Sequence, residues 1–211
     1  MVVQLVKKDL VYLATSLKST LGIVITFAFC FPMINVGIGC IVPALVCYIG
    51  FYSTLAYEER NKMDILNLSL PVDRKAICLA KYIEVLIFIV GGCILSSLGM
   101  LLMQRTSIIL LEGGIYGMIP VMLAVALVYS AIIIPCVFYF GTLKARYVLL
   151  LFYVVIFILG NSLESTGFVN FINYIGRIGD GYVNLIGVLI ALVLFILSYS
   201  ISLRIWRYKE V

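Results

Sequence analysis

The charged side chains between Tyr57 and Lys81 are the residues of this sequence best suited to catalysis or docking. This stretch carries nine of the 25 Asp, Glu, Lys and Arg residues of the chain, and long apolar runs almost free of charge lie on either side. A polar segment between two membrane-length apolar runs must lie in water at one membrane face. Its carboxylates could serve an enzyme, and its mixture of charged and apolar residues could serve a protein partner.

A catalytic use of this stretch is disfavoured by the residues that are missing. The pair Glu58 and Glu59 is similar to the paired-glutamate start of the prenyl-protein endopeptidases. Their motif needs an arginine four positions after the second glutamate and histidines further on, whereas this chain has Met63 there and no histidine. It also lacks a GxxxxGK[ST] sequence for cradling nucleotide phosphates. We therefore expect no enzymatic activity, bound cofactor or metal in this chain alone.

The two glutamates fall where the preceding apolar helix should end. Acidic residues at a helix C-terminus oppose the macrodipole, at a cost of roughly 0.3–1 kcal/mol each. Either the helix continues into the cytosol, or Glu58 and Glu59 have a cationic partner. The pattern leaves both possibilities open.

Beyond Arg60, the sequence predicts a short helix. Asn61 can cap it, with Asp64 three residues later in an arrangement like a capping box. Pro71 disfavours helical geometry in the residue before it and so ends the element. Asp73 can then cap the next helix, which returns into the membrane.

The apolar residues of this short helix face more than one way. Met63, Leu66 and Leu70 share one face at i, i+3 and i+7 spacing, while Ile65 and Leu68 point to other sides. A helix of two to three turns at a membrane face, flanked by charge, is suited to docking. An ordinary cytosolic loop with one turn of helix would have a similar composition, so the pattern alone does not decide between them.

The composition is that of an integral membrane protein. Of its 211 residues, 64% are hydrophobic and 12% charged, whereas soluble domains have about 45–50% apolar and about 25% charged residues. The net charge of +5 is spread over several loops, which argues against a nucleic-acid partner. The six cysteines lie in or beside apolar runs without C-x-x-C spacing, which argues against a zinc or redox site.

Hydropathy predicts an all-α fold with six transmembrane helices in a single membrane domain, residues 1–211. Residues 1–18 read as an interfacial amphipathic helix, with Val3, Val6 and Leu10 on its apolar face. An extracellular amphipathic or re-entrant helix is expected within 163–183. The predicted spans, around a cytosolic loop at 58–73, are about 19–34, 40–57, 74–103, 116–141, 147–162 and 184–204.

Details at the ends of these spans give further expectations. Lys81 and Glu84 are three residues apart in the third span, where they can pair and extend to the cytosolic interface. Pro120 and Pro135 predict kinks in the fourth span. Lys144 and Arg146 mark a tight turn before the fifth.

The distribution of basic residues orients the chain. Thirteen lysines and arginines fall on the side of the termini in a six-span arrangement, and Arg105 and Arg177 fall opposite. By the positive-inside rule both termini and the loop at 58–76 are cytosolic. The thirteen are Lys7, Lys8, Lys18, Arg60, Lys62, Arg74, Lys75, Lys81, Lys144, Arg146, Arg204, Arg207 and Lys209.

Three motifs around the polar stretch follow one another in a distinctive order. A glutamate-bearing end of span two, Tyr57-Glu58-Glu59-Arg60, is followed by the short helix and a leucine-proline-x-x-arginine turn, Leu70-Pro71-Val72-Asp73-Arg74, and then by Ala80-Lys81-Tyr82 at the start of span three. By these motifs, and in outline over its whole length, the chain resembles the permease subunits of ABC-2 type (type V) ABC transporters. The resemblance is to the small bacterial branch that includes exporters of phenol-soluble modulins and of bacteriocins or lantibiotics. Relatives often have serine or threonine in place of Asp73.

The resemblance implies that this loop is a coupling helix seated in a groove of a separate ATPase subunit. The residues that would make the polar contacts are Glu58, Glu59, Arg60, Asp64, Asp73 and Arg74. Those that would form the apolar plug are Met63, Ile65, Leu66 and Leu68.

The resemblance also implies ATP-driven export across the bacterial cell membrane. Two permease copies, expected to be a homodimer, would pair above two ATPase subunits that bind ATP and Mg. The path between the copies, lined by spans one, two and five, would carry amphipathic peptides or similar hydrophobic cargo among membrane lipids.

Two other functions remain open from the sequence. A substrate-binding subunit of an energy-coupling-factor importer would dock through Ala-x-x-x-Ala in span one, whereas this chain has Ala76-x-x-x-Ala80 at the start of span three. A non-transporting immunity or assembly membrane protein would have a loop at 58–76 that binds no ATPase.

Overall fold

Helices make up almost all of the described protein. The computed structural model describes residues 2–16, 18–34, 39–61, 74–105, 114–162 and 180–208, which are helical apart from short turns around residues 40–41 and 61. Over these residues the predicted all-α class is confirmed. The helices are α1 (Val2–Ser16), α2 (Lys18–Ile34), α3 (Val42–Arg60), α4 (Arg74–Arg105), α5 (Gly114–Ser162) and α6 (Asp180–Tyr208).

Three segments in this part of the chain are long and apolar enough to cross a membrane. They are Lys75–Leu102 with 28 residues, Gly117–Gly141 with 25 and Asn184–Trp206 with 23. At 1.5 Å per residue each exceeds the hydrocarbon core of about 30 Å. The other predicted spans, at 19–34, 40–57 and 147–162, stay predictions, and the predicted helix within 163–183 falls largely outside the described residues.

The core lies where α3, α4 and α5 meet. Phe51 of α3, Val85 and Ile89 of α4, and Leu127 and Ile134 of α5 are almost completely buried there. The long helix α6 packs along α5. Its outer side chains are exposed and apolar over many turns, as expected for a surface in contact with lipid.

Helices α3 and α4 approach closely at two glycines. A Cβ atom added to Gly92 of α4 would lie 2.7 Å from the Cα of Pro43, and one added to Gly50 of α3 would lie 2.9 Å from the ring of Phe88. Small residues allow such backbone approach between helices in a membrane. The position of α4 against α3 is therefore set tightly.

The break in α5 lies at Gly141 and not at the predicted turn. Gly141 has φ 78° and ψ 168°, a region of backbone conformation that is essentially confined to glycine. Lys144 and Arg146, where the turn was predicted, are helical. The prediction followed charge, but the conformation depends on the residue that can adopt a positive φ.

Gly92→Ala should destabilise the protein by about 1–3 kcal/mol, because the new methyl group would meet the backbone of Pro43. The measurement is the thermal midpoint of the purified protein in mild detergent. Gly91→Ala is the matched control, since a Cβ there meets nothing within 4 Å and alanine favours the helix by about 0.5–1 kcal/mol. Equal midpoints for the two variants would contradict the close approach.

Candidate functional site

The two ends of the loop at 62–73 are held by helices that lie against each other. Helix α3 ends at Arg60, where the backbone N–H of Asn61 donates to the carbonyl of Tyr57 at 3.0 Å. Helix α4 begins at Arg74 and packs along α3. The N-terminal helix α1 packs on both of them, so three helices meet at the base of the loop.

One buried lysine joins these three helices. The Lys81 ammonium of α4 lies 2.8 Å from Asp9 Oδ2 of α1, 3.0 Å from Glu58 Oε2 of α3 and 3.4 Å from Glu84 Oε2 of its own helix. Lys81 is 4% exposed, so these oxygens replace water around the ammonium group. Lys81 is therefore the centre of a buried ionic cluster.

A second lysine closes the cluster at its outer edge. Lys8 Nζ lies 3.3 Å from Glu58 Oε1 and 3.5 Å from Asp9 Oδ1, and its side chain is 39% exposed. Asp9 and Glu58 thus each face two ammonium groups. We call Lys8, Asp9, Glu58, Lys81 and Glu84 the ionic cluster.

Glu84 occupies the innermost position of the ionic cluster. It is completely buried, and its Oε1 has no hydrogen-bond partner among the described residues. Thr54 of α3 lies beside this carboxyl group, but the Thr54 hydroxyl donates to the backbone carbonyl of Phe51 at 2.9 Å. Glu84 is held through its other oxygen, by Lys81.

The ionic cluster resolves the alternatives left open for the paired glutamates. Helix α3 ends at Arg60, and Glu58 has Lys81 and Lys8 as cationic partners. Two positive charges offset the unfavourable position of a carboxylate at a helix C-terminus. Glu59 and Arg60 are instead exposed, so the neighbouring charges of this motif face different surroundings.

The structure corrects the prediction that Lys81 extends to the membrane interface. Lys81 does pair with Glu84 as predicted, but its ammonium is buried against carboxylates of α1 and α3. The long side chain of a lysine extends toward water when its ammonium group has no acceptor inside the protein. The Lys81 ammonium has such acceptors in Asp9 and Glu58.

Asp9 is the functional candidate that the sequence analysis missed. It is 5% exposed, although the sequence analysis assigned the apolar face of α1 to Val3, Val6 and Leu10 and gave Asp9 no role. The available signal was that Asp9 is the only acidic residue among residues 1–18. A lone carboxylate on a helix otherwise basic is an indication of an ionic contact.

The predicted docking residues divide into described and undescribed groups. Glu58 lies in the ionic cluster, and Glu59 and Arg60 are exposed beside it. Arg74 is the first residue of α4, and its side chain lies outside the described part of the structure. The remaining residues also lie outside it, and their roles stay predictions: Met63, Asp64, Ile65, Leu66, Leu68 and Asp73.

Lys81→Met should destabilise the protein by about 3–5 kcal/mol, because it leaves buried carboxylates without their central cation. The thermal midpoint in detergent measures this loss. Lys75→Met is the matched control, since Lys75 is an exposed lysine on the same helix. A Lys81→Met variant as stable as Lys75→Met would show that Lys81 does not hold the ionic cluster together.

A model of one protein family matches nearly the whole chain. Its description is ABC-2 family transporter protein, and the match covers residues 4–207. It includes the ionic cluster and the loop between α3 and α4. The comparisons with curated proteins and with solved structures gave no match.

Proposed function

The chain belongs to the ABC-2 family of transporter proteins, and on this basis we propose that it is the permease of a peptide exporter driven through residues 58–74. Membership makes the chain a membrane permease of an ABC transporter and implies an ABC ATPase partner, which we propose carries out the ATP hydrolysis. The proposal adds the docking element, the outward direction and the class of cargo.

The ionic cluster is the observation that supports docking on this loop. Glu58 stands four residues before the loop at 62–73, and Lys81 lies about two turns into the helix that follows it. Glu58 and Lys81 form an ion pair at 3.0 Å. Each also contacts α1, because Lys81 binds Asp9 and Glu58 binds Lys8. A loop with such a base passes an applied force to the helices instead of bending at its ends.

Exposed charges beside the loop suit a protein partner. Three charged residues are exposed where α3 ends and α4 begins, namely Glu59, Arg60 and Lys75, and the polar Asn61 is exposed beside them. Glu58 is instead buried. We propose that Glu59, Arg60, Asp64, Asp73 and Arg74 contact the ATPase directly. Glu58 acts by holding the loop in place, and Met63, Ile65, Leu66 and Leu68 enter the groove of the ATPase.

Apolar surfaces support the proposed class of cargo. Ile25 and Phe27 of α2, which belongs to the first of the three spans proposed to line the path, are exposed apolar side chains. A path lined by such side chains accommodates amphipathic peptides better than ions or sugars. In the proposed assembly, two permease copies pair in a bacterial cell membrane, and two ATPase subunits bind them from the cytosol. Both termini of each permease lie in the cytosol.

Leu66→Asp should abolish co-purification of the permease with a candidate ABC ATPase encoded beside it, because a carboxylate cannot enter an apolar groove without a partner. The measurement is the amount of ATPase retained on the tagged permease in mild detergent. Wild type should retain it, and Leu66→Asp should lose at least about tenfold, since about 1.4 kcal/mol of binding energy already gives that factor.

Leu111→Asp is the matched control, with the same substitution in the loop predicted on the opposite face of the membrane. It should retain the ATPase as wild type does. Equal retention by Leu66→Asp would show that residues 61–70 do not dock. No retention by wild type would favour the non-transporting membrane protein.

A further inference from the structure

Tyr82 connects α4 to α6 through two hydrogen bonds. Its hydroxyl oxygen lies 2.8 Å from Ser198 Oγ and 2.8 Å from Ser202 Oγ. All three residues are at most 4% exposed. A phenol has one proton, so Tyr82 donates to one serine and accepts from the other, and neither bond competes with water.

The ring of Tyr82 extends this contact along α6. Phe195 and Tyr199 meet it edge to face, with ring centroids 5.1 Å and 5.2 Å away. Edge-to-face pairs add about 0.5–1.5 kcal/mol to the energy of burial. Residues 195–202 span two turns of α6, so a single side chain of α4 holds that whole length.

The adjacent residues Lys81 and Tyr82 of α4 contact different helices. Consecutive residues of an α-helix point about 100° apart. Lys81 therefore faces α1 and α3 through the ionic cluster, while Tyr82 faces α6, at the same level of α4. Both lie roughly 11–12 Å along the helix from Arg74, where the loop ends.

We propose that Lys81 and Tyr82 are positioning residues that make α1, the end of α3, the start of α4 and residues 195–202 of α6 move as one body. A displacement of the loop would then reach the last helix of the chain as well as the first. The inference rests on the proposed function, because the displacement comes from an ATPase docked on the loop.

The test measures whether α4 and α6 stay together when the ATPase closes. Click-coupled spin labels, which avoid the six native cysteines, replace Leu79 of α4 and Arg204 of α6, both of which are exposed. The permease and its candidate ATPase are placed in nanodiscs, and the distance between labels is measured without nucleotide and after trapping with ATP and vanadate. In wild type the distance should be the same in both states.

Tyr82→Phe should change the trapped state. It keeps the ring contacts with Phe195 and Tyr199 but removes both hydrogen bonds, so the distance should shift or broaden by about 2 Å, the scale of helix shifts in such transitions. The double variant Ser198→Ala with Ser202→Ala should do the same. Ser200→Ala is the control, because the Ser200 hydroxyl bonds the carbonyl of Ile196 in its own helix.

The outcomes separate this inference from the proposed function. If the ATPase binds and hydrolyses ATP but Tyr82→Phe and the double serine variant keep the wild-type distance in both states, the inference is wrong and the proposed function stands. A wild-type distance that changes on trapping also overturns it. If wild type binds no ATPase, both fail together.

Discussion

The arrangement of the helices around the loop depends on a cation surrounded by carboxylates in a buried place. Each of the four buried charges of the ionic cluster would be costly there alone, and they are tolerated because Lys81 lies within 3.4 Å of Asp9, Glu58 and Glu84. The close approach at Gly92 sets α4 against α3, and the ion pairs of Lys81 with Asp9 and Glu58 add the contact with α1. The cluster thus specifies where α1 lies against α3 and α4.

Packing and polar contacts act on different parts of α4. Near its middle, Gly92 lets the backbone come close to Pro43, and Val85 and Ile89 fill the core. Nearer its start, Lys81 and Tyr82 bind three other helices through charges and hydroxyls. The half of α4 next to the loop is therefore linked to the first and last helices of the chain, whereas its middle is fixed mainly against α3 and α5.

The sequence predicted local features well and long-range contacts poorly. The helical class, the pairing of Lys81 with Glu84 and the possibility of a cation beside Glu58 follow from composition and from spacing within a few residues. Asp9 was missed because its partner Lys81 lies 72 positions away, and no periodicity encodes that distance. Charge predicts the turn at Lys144 and Arg146, whereas the break lies at Gly141, because its backbone conformation is one that only glycine adopts readily.

The separation between Asp9 and Lys81 also sets an order of events during synthesis. At about 5–20 residues per second, Lys81 emerges roughly 4–14 s after Asp9, and until then the carboxylate of α1 has no central partner. During that interval the two apolar runs between residues 19 and 57 are made while Asp9 lacks Lys81. Tyr82 waits longer, because Ser202 follows it by 120 residues. In a chain whose synthesis stops before residue 81, Asp9 has only Lys8 as a cation, and in one that stops before residue 198, Tyr82 lacks both of its serine partners.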